Sequence, residues 1–406
     1  MERTQCCIVG GGPAGMMAGL LLARAGVRVT VLEKHRDFIR DFRGDTVHPS
    51  TLRLLDELGL GERFARLPQR RLDKMRMHIG DQTVVAADFG RIRFPHRYIA
   101  MVPQWDFLDM IADVATAEPT CTVRMSTELT GLLRDSGAVC GVRYRTADGA
   151  EGEIHADLVL ACDGRDSAAR AAAGLRQTMV EVPMDVWSVR IPVPAQRHND
   201  GQVFARFGGG RAAVTMDRGD YYQTSYLIPK GADASLREQD IQWLRDQLGA
   251  LFGWDADILA EIRSWDDVKL LEVTMGRLDR WYTEGLLCLG DAAHTMSPVG
   301  GVGVNLAIQD AVAAARILAD PLRRGQVSTT DLAKVQRRRS LPTAVTQRSQ
   351  RGEHDMLLKP ALDGTLTAVP APLRLVDRIP ALAGLTAYLG GVGLRAEHAP
   401  DFARRR

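Results

Sequence analysis

A chain of 406 residues with 45% hydrophobic and 25% charged residues can bury a large core and is longer than one small domain needs. Its 52 Lys and Arg against 50 Asp and Glu leave a net charge of +2, which gives no hold for nucleic acid or an acidic membrane surface. The 6 cysteines show neither C-x-x-C nor zinc spacing, which speaks against a metal ribbon and predicts a reduced, cytoplasmic protein.

The chain opens with a short apolar strand, Cys6 to Val9, followed by Gly10-Gly11-Gly12-Pro13-Ala14-Gly15. Gly10, Gly12 and Gly15 satisfy G-x-G-x-x-G, and a helix is predicted from Met16 to Ala25. The first glycine permits a tight turn, the second lets backbone approach a pyrophosphate, and the third lets helix and strand pack closely. A phosphate would then meet free N–H groups at a helix N-terminus. A second strand, Val27 to Glu33, ends in an acid roughly 20 residues on, where a carboxylate accepts ribose hydroxyls. Lys34 follows it. The uncharged run Cys6 to Ala23 has the length of a signal or membrane segment, but Gly10 to Pro13 interrupt any helix there, so no membrane insertion is expected.

Ser50 or Thr51 is placed to cap a helix from Leu52 to Leu58. Met75 to Phe94 alternates and reads as short strands; Tyr98 to Val102 is another, leading through Gln104 into a helix of roughly ten residues. Cys121 to Asp148 holds two or three strands. Ile154 to Ala161 is a buried strand ending at Asp163-Gly164, with an Ala-rich helix to Ala173. Trp187 to Pro192, Val203 to Phe207, Ala212 to Met216 and Tyr221 to Ile228 read as an antiparallel sheet of a second domain, and Ser235 to Leu251 as its helix. Val268 to Val273 leads back. Leu286 to Leu289 is a short buried strand that ends at Gly290-Asp291. The glycines Gly300, Gly301 and Gly303 follow, and a helix from Leu306 to Leu318. A basic helix starts near Thr330, which Pro342 should kink or end.

Three segments therefore share one grammar of short strand, glycines with a carboxylate, then helix, beginning near Gly10, Asp163 and Gly290. Taken singly, Asp163 and Asp291 read equally well as helix caps. Together, and so far apart in sequence, they call for one long cofactor that spans them.

The set Gly10-x-Gly12-x-x-Gly15, Glu33, Arg43-Gly44, Gln104, Asp163-Gly164-x-x-Ser167-x-x-Arg170 and Gly290-Asp291-Ala292-Ala293-His294-x-x-x-Pro298-x-Gly300-Gly301-x-Gly303-x-Asn305 resembles the group A flavoprotein monooxygenases, the para-hydroxybenzoate-hydroxylase-like enzymes. The resemblance runs to about residue 350. It implies an α/β fold: a Rossmann-type FAD-binding domain (1–74, 98–180 and 270–330), an inserted β-rich substrate domain (75–97 and 181–269) and a C-terminal helical region (331–406). It implies FAD held by Gly10, Gly12, Pro13, Ala14, Gly15, Glu33, Lys34, Arg43, Gln104, Asp163, Gly164, Asp291, Pro298, Gly301, Gly303, Val304 and Asn305. Arg43 and Pro298 would stand at the reacting flavin. NAD(P)H would visit as co-substrate, dioxygen would form a C4a-hydroperoxyflavin, and the product would be a hydroxylated aromatic, polycyclic or natural-product substrate. No second βαβ unit offers a separate nicotinamide domain, no C-x-x-x-x-C pair suggests a disulfide reductase, and Trp254 does not match a halogenase motif.

The flavin carries the hard chemistry, so no protein nucleophile is needed. A base toward a phenol would help, with His48, His96, Tyr221, Tyr222 and Tyr226 as candidates; His294 sits beside the flavin motif. Trp187, Arg190, Phe204, Arg206, Val214, Met216 and Tyr222 are expected in the substrate pocket, subject to sheet phase. The alternatives are a same-fold reductase acting on an isoprenoid or other hydrophobic substrate, a nicotinamide dehydrogenase and a non-catalytic flavin binder.

Overall fold

The structure, a computed structural model, describes residues 1–39, 46–192, 203–218 and 221–405, and only the backbone at 203 and 204. Arg43 and Gly44 lie outside the described residues, as does the side chain of Phe204.

The N-terminal apolar runs build the parallel centre of an eight-stranded sheet. Strand Glu2–Val9 pairs in parallel with Val29–Leu32 on one side and with Glu151–Ala161 on the other. Cys121–Arg124 and Leu286–Cys288 extend it outward, again in parallel. Helices cover these strands, so Cys6, Cys7, Ile8, Leu158, Val159 and Leu160 are fully buried; that is why they form unbroken apolar runs rather than alternating ones. The long strand Glu151–Ala161 also carries an antiparallel hairpin, Thr127–Asp135 and Ala138–Thr146.

The register decides where the three glycine segments lie. Val9 is opposite both Leu32 and Ala161, and Ala161 is opposite Cys288. The residues that follow these strands, Gly10, Glu33, Cys162-Asp163 and Leu289-Gly290, therefore emerge side by side at one carboxyl edge of the sheet. That edge is where open α/β sheets bind ligands. Helices Pro13–Arg24 and Gly303–Arg323 pack against each other behind it. The apolar stretch Val299–Arg323 is long enough to cross a membrane by length and composition, and 72% of its most apolar window is buried inside the protein.

A seven-stranded sheet faces that edge, in the order Lys269–Leu271, Met184–Pro192, Tyr221–Pro229, Arg211–Asp217, Val203–Gly208, Lys74–Ile79, Gln82–Asp88. Its pairs are antiparallel except Val203–Gly208 with Lys74–Ile79, which join the two sequence-distant parts in parallel. Strand Lys269–Leu271 belongs to this sheet, so the sheet's edge runs across residue 270.

Three expectations are corrected. The helix expected over Ser235 to Leu251 is two pieces, Asp233–Leu236 and Ile241–Phe252, because the Asp240 side chain accepts from Gln242 N and starts a new helix. The helix expected at Leu52 begins at Pro49, and Ser50 and Thr51 lie inside it; their hydroxyls bond Gly391 O and Asn305 Oδ1 instead of capping. Pro342 does not end its helix: Thr329–Glu353 runs through it. Tertiary anchors on both sides hold the helix together there, with Arg339 on Asp310, Arg338 on Glu397, and Gln347 on the Gly276 and Thr295 carbonyls. The C-terminal helices pack on the second sheet. Ala371–Arg378 and Pro380–Gly391 pack on strand Gln82–Asp88, and Leu357, Leu358 and Ala361 enter the core of the second sheet.

Candidate functional site

One continuous cavity of about 490 Å³ runs from the Gly10–Ala14 turn to the inner face of the second sheet. At its nucleotide end the glycines divide their labour. A Cβ on Gly10, whose φ is 99°, would lie 2.5 Å from Cys162 O, and one on Gly15 would lie 1.9 Å from Gly10 O. Both positions are closed by the protein itself. Gly12, by contrast, has nothing within 4 Å of its Cβ position and borders the cavity. That is the open cradle a pyrophosphate would fill, at the N-terminus of helix Pro13–Arg24.

Glu33 is buried at the second strand end. Its Oε2 accepts from Gly11 N at 2.8 Å and its Oε1 from His35 N at 3.0 Å. The acid thus ties the glycine turn to its own loop while lining the cavity, as do Lys34 and Gln104. Asp163 also lines it, but its carboxylate serves the following helix: Oδ1 accepts from Ser167 Oγ at 2.5 Å and Oδ2 from Ala169 N at 3.0 Å. Arg170 then joins the second segment to the third, donating to Arg165 O at 2.6 Å and Ala292 O at 3.2 Å. Asp291 borders the cavity in a 3-10 turn, and its carboxylate has no side-chain partner among the described residues.

The third segment continues as Pro298, Val299, Gly300, Gly301, Gly303 and Val304, all on the cavity wall. Gly300 and Gly301 both have positive φ, and a Cβ on Gly301 would lie 2.2 Å from Thr46 Oγ1. Backbone can therefore run flush along the wall, and helix Gly303–Arg323 starts there with its amides toward the space. Pro298 has no proton to give, so its place is positional.

Two expected cofactor contacts fall elsewhere. Gly15 packs on Gly10 and does not line the cavity. Asn305 is buried behind the wall, where Oδ1 accepts from His48 N at 2.9 Å and Thr51 Oγ1 at 2.8 Å, and Nδ2 donates to Thr46 O at 3.0 Å and Gly301 O at 3.3 Å. It clamps the glycine loop to the segment at Thr46.

The substrate end is apolar. Met184, Val186, Ala205, Phe207, Val214, Met216 and Leu227 face it from the sheet, with Gln223 and Ser225 among them. The expected phase holds for Val214 and Met216 and is reversed for Trp187, Arg206 and Tyr222. Trp187 and Tyr222 point to the opposite face under helix Ile241–Phe252, where Trp187 Nε1 donates to Asp233 at 2.6 Å and Tyr222 stacks on Trp254. Arg206 likewise donates to Leu251 O at 2.8 Å on that side. Arg190 and Tyr221 pair with each other away from the cavity. Sheet phase decides the lining: helix Ile241–Phe252 covers Trp187 and Tyr222, and their strand neighbours Val186 and Gln223 face the chamber.

None of the candidate bases lines the cavity. His48 is buried, with its Nδ1 donating to Gly390 O at 3.0 Å, and burial pushes its pKa down to about 4. His96 meets Asp56 at 2.5 Å. Tyr226 lies among Trp187 and Trp243, and burial raises its hydroxyl to about 12. His294 is buried against Asp310. Cavity residues that the sequence reading missed include His35, Phe38, Met296 and Glu353. His35 was within reach, two residues past Glu33; Glu353 carried no motif, lying in a helix read only as basic.

The residues present fit FAD: an open glycine cradle, a buried acid at the adjacent strand end, a carboxylate without a protein partner, and a glycine wall beside an apolar chamber. Comparison with known proteins agrees. Residues 3–349 match the family described as FAD binding domain. The chain is 34% identical over 384 residues to 6-methylpretetramide 4-monooxygenase of Streptomyces rimosus, covering 93% of this chain and 90% of that one. Its fold superposes on OxyS anhydrotetracycline hydroxylase from Streptomyces rimosus with a TM-score of 0.76 at 23% identity, covering 98% of this chain and 77% of the other. It superposes on PqsL of Pseudomonas aeruginosa, a probable FAD-dependent monooxygenase, with a TM-score of 0.74 at 22% identity, covering 92% of this chain and 100% of the other. A cradle for FAD that opens onto an apolar chamber, with relatives of this kind along nearly the whole chain, places it in the group A FAD-dependent aromatic monooxygenase family.

Proposed function

We propose that the chain hydroxylates a polycyclic aromatic substrate of the polyketide type, consuming NAD(P)H and dioxygen. The observation that carries this reading is the continuity of the cavity: the apolar chamber of Met184, Val186, Ala205, Phe207, Val214 and Leu227 opens onto the Pro298–Gly301 wall without an intervening barrier. The relative that acts on 6-methylpretetramide, a polycyclic name, supports the substrate class.

Bound FAD would supply the redox chemistry, taking hydride from the nicotinamide and activating dioxygen. The chain's own residues do the rest. The open backbone at Gly12 and Ala14 would hold the pyrophosphate, Glu33 and Lys34 the adenosine end, and Asp291 a ribityl hydroxyl. Gln104 and the backbone from Pro298 to Val304 flank the ring system, and Gly164 leaves room at the nicotinamide approach. Arg43 is assigned to the flavin by family resemblance alone. The chamber's apolar wall would exclude water from the reacting ring. Asn305 and Gly15 act through the backbone they position.

The test is oxidation of NADH and NADPH by the purified holoprotein across a panel of tetracyclic and tricyclic phenols. A substrate of the proposed class accelerates oxidation and yields a hydroxylated product in matching amount. Oxidation that no member of the panel accelerates, with no oxygenated product, contradicts the reading.

A further inference from the structure

Glu353 is a cavity-wall carboxyl that the cofactor cradle does not use. Glu353 closes helix Thr329–Glu353 and lines the cavity. Its one hydrogen bond among the described residues is a long one of 3.4 Å, accepted from Ser349 Oγ a turn earlier. Burial pushes its carboxyl above the usual range, and the Ser349 bond offsets this only in part. A half-buried carboxyl on the cavity wall with a single long hydrogen bond keeps acceptor capacity for a bound ligand.

The local backbone explains how it comes to face inward. At Glu353 the α-helix gives way to a π-helical turn, His354–Leu358, a widening that re-aims side chains and recurs at functional sites. The residues around Glu353 are committed elsewhere. Gln350 donates to Ser297 O at 2.9 Å and Val299 O at 2.8 Å, and His354 Nε2 meets Ser297 Oγ at 2.8 Å. Leu357 and Leu358 join the apolar wall. The same turn therefore grips the loop bearing Pro298 and presents Glu353 to the chamber. Other charged side chains on the wall, besides those assigned to the cofactor, are Arg76, Glu128, Arg165 and Asp166; on its own turn Asp355 is exposed.

We propose that Glu353 is the specificity residue of the chamber, accepting the acidic hydroxyl of a phenolic substrate and fixing that ring relative to the Pro298 loop. This rests on the hydroxylase reading for the substrate class, but it concerns binding. A carboxyl with a high affinity for protons makes a strong hydrogen bond to a phenol, and a site built around such a bond rejects the analogue that lacks the hydroxyl.

The experiment compares 2-hydroxyanthraquinone with anthraquinone, titrated into the holoprotein and followed by tryptophan fluorescence. The wild-type chain binds the hydroxylated probe about 10- to 100-fold more tightly, the range for a hydrogen bond to a charged group. In Glu353→Ala and Glu353→Gln that preference falls to about threefold or less while affinity for anthraquinone and FAD content hold; Glu353→Asp recovers part of it. Equal affinity of the wild type for the two probes, failure to bind 2-hydroxyanthraquinone, or a preference that survives in both variants overturns the assignment. Because the readout is binding, a chain that oxygenated none of the panel would still show the preference, so the two claims fail separately.

Discussion

Asp310 and His294, 0% and 1% exposed, meet at 2.6 Å beneath the third glycine segment. Asp310 also accepts from Gly290 N at 3.2 Å and from Arg339 Nε at 2.8 Å. One buried carboxylate thus holds the Gly290-Asp291 turn to helix Gly303–Arg323 and to the C-terminal helix beyond Ser328. Burial raises the Asp310 carboxyl, but His294 and Arg339 beside it more than offset this and leave it below its ordinary value. Removing one partner of a buried pair leaves the other charge uncompensated, so Asp310→Asn should cost about 3–5 kcal/mol of stability. Urea unfolding measures it. A loss under about 1 kcal/mol would show that the network is idle.

The glycine turn makes a paired prediction. Gly15→Ala places a Cβ 1.9 Å from Gly10 O, and the apoprotein itself should be destabilised. Gly12→Ala meets nothing within 4 Å, so its apoprotein should unfold within about 0.5 kcal/mol of wild type while losing FAD. Melting of the stripped proteins and retained FAD separate the two effects. Normal FAD retention by Gly12→Ala would remove the pyrophosphate from that cradle.

His48 gives the pH dependence. Its folded value, about 4, lies below the ordinary value of 6.5 because burial disfavours the cation. Between those values the unfolded chain binds more protons than the folded one, so stability falls as pH drops through that window. The shift corresponds to roughly 3 kcal/mol across it. His48→Gln should flatten this part of the curve in a series of melts between pH 4 and pH 7 (a range set by the two values). An unchanged slope would mean that other groups carry the acid sensitivity.

Much of the cofactor end was legible in the sequence because each of its parts is local. A glycine turn, an acid at a strand end and Gly290-Asp291 are short motifs, and strand register alone then brings them to one edge. The substrate end was less legible because it depends on phase and on distant packing. Trp187 and Val186 are neighbours on one strand, and only the position of helix Ile241–Phe252 decides which of them is covered. Asn305 stood inside a recognisable motif, yet its partners Thr46, His48 and Thr51 are more than 250 residues away in sequence, as the 257-residue separation from His48 shows. Glu353 faces the chamber through a π-helical turn that no residue pattern announced.

The most direct test of the central claim is turnover under isotopically labelled dioxygen, with 6-methylpretetramide and related polycyclic phenols as substrates and NAD(P)H as reductant. The account predicts a product that carries one labelled oxygen atom, formed in step with nicotinamide oxidation and lost in Gly12→Ala. Product oxygen drawn from water, or a product changed only by hydrogen, would contradict it and favour a reductase on the same fold.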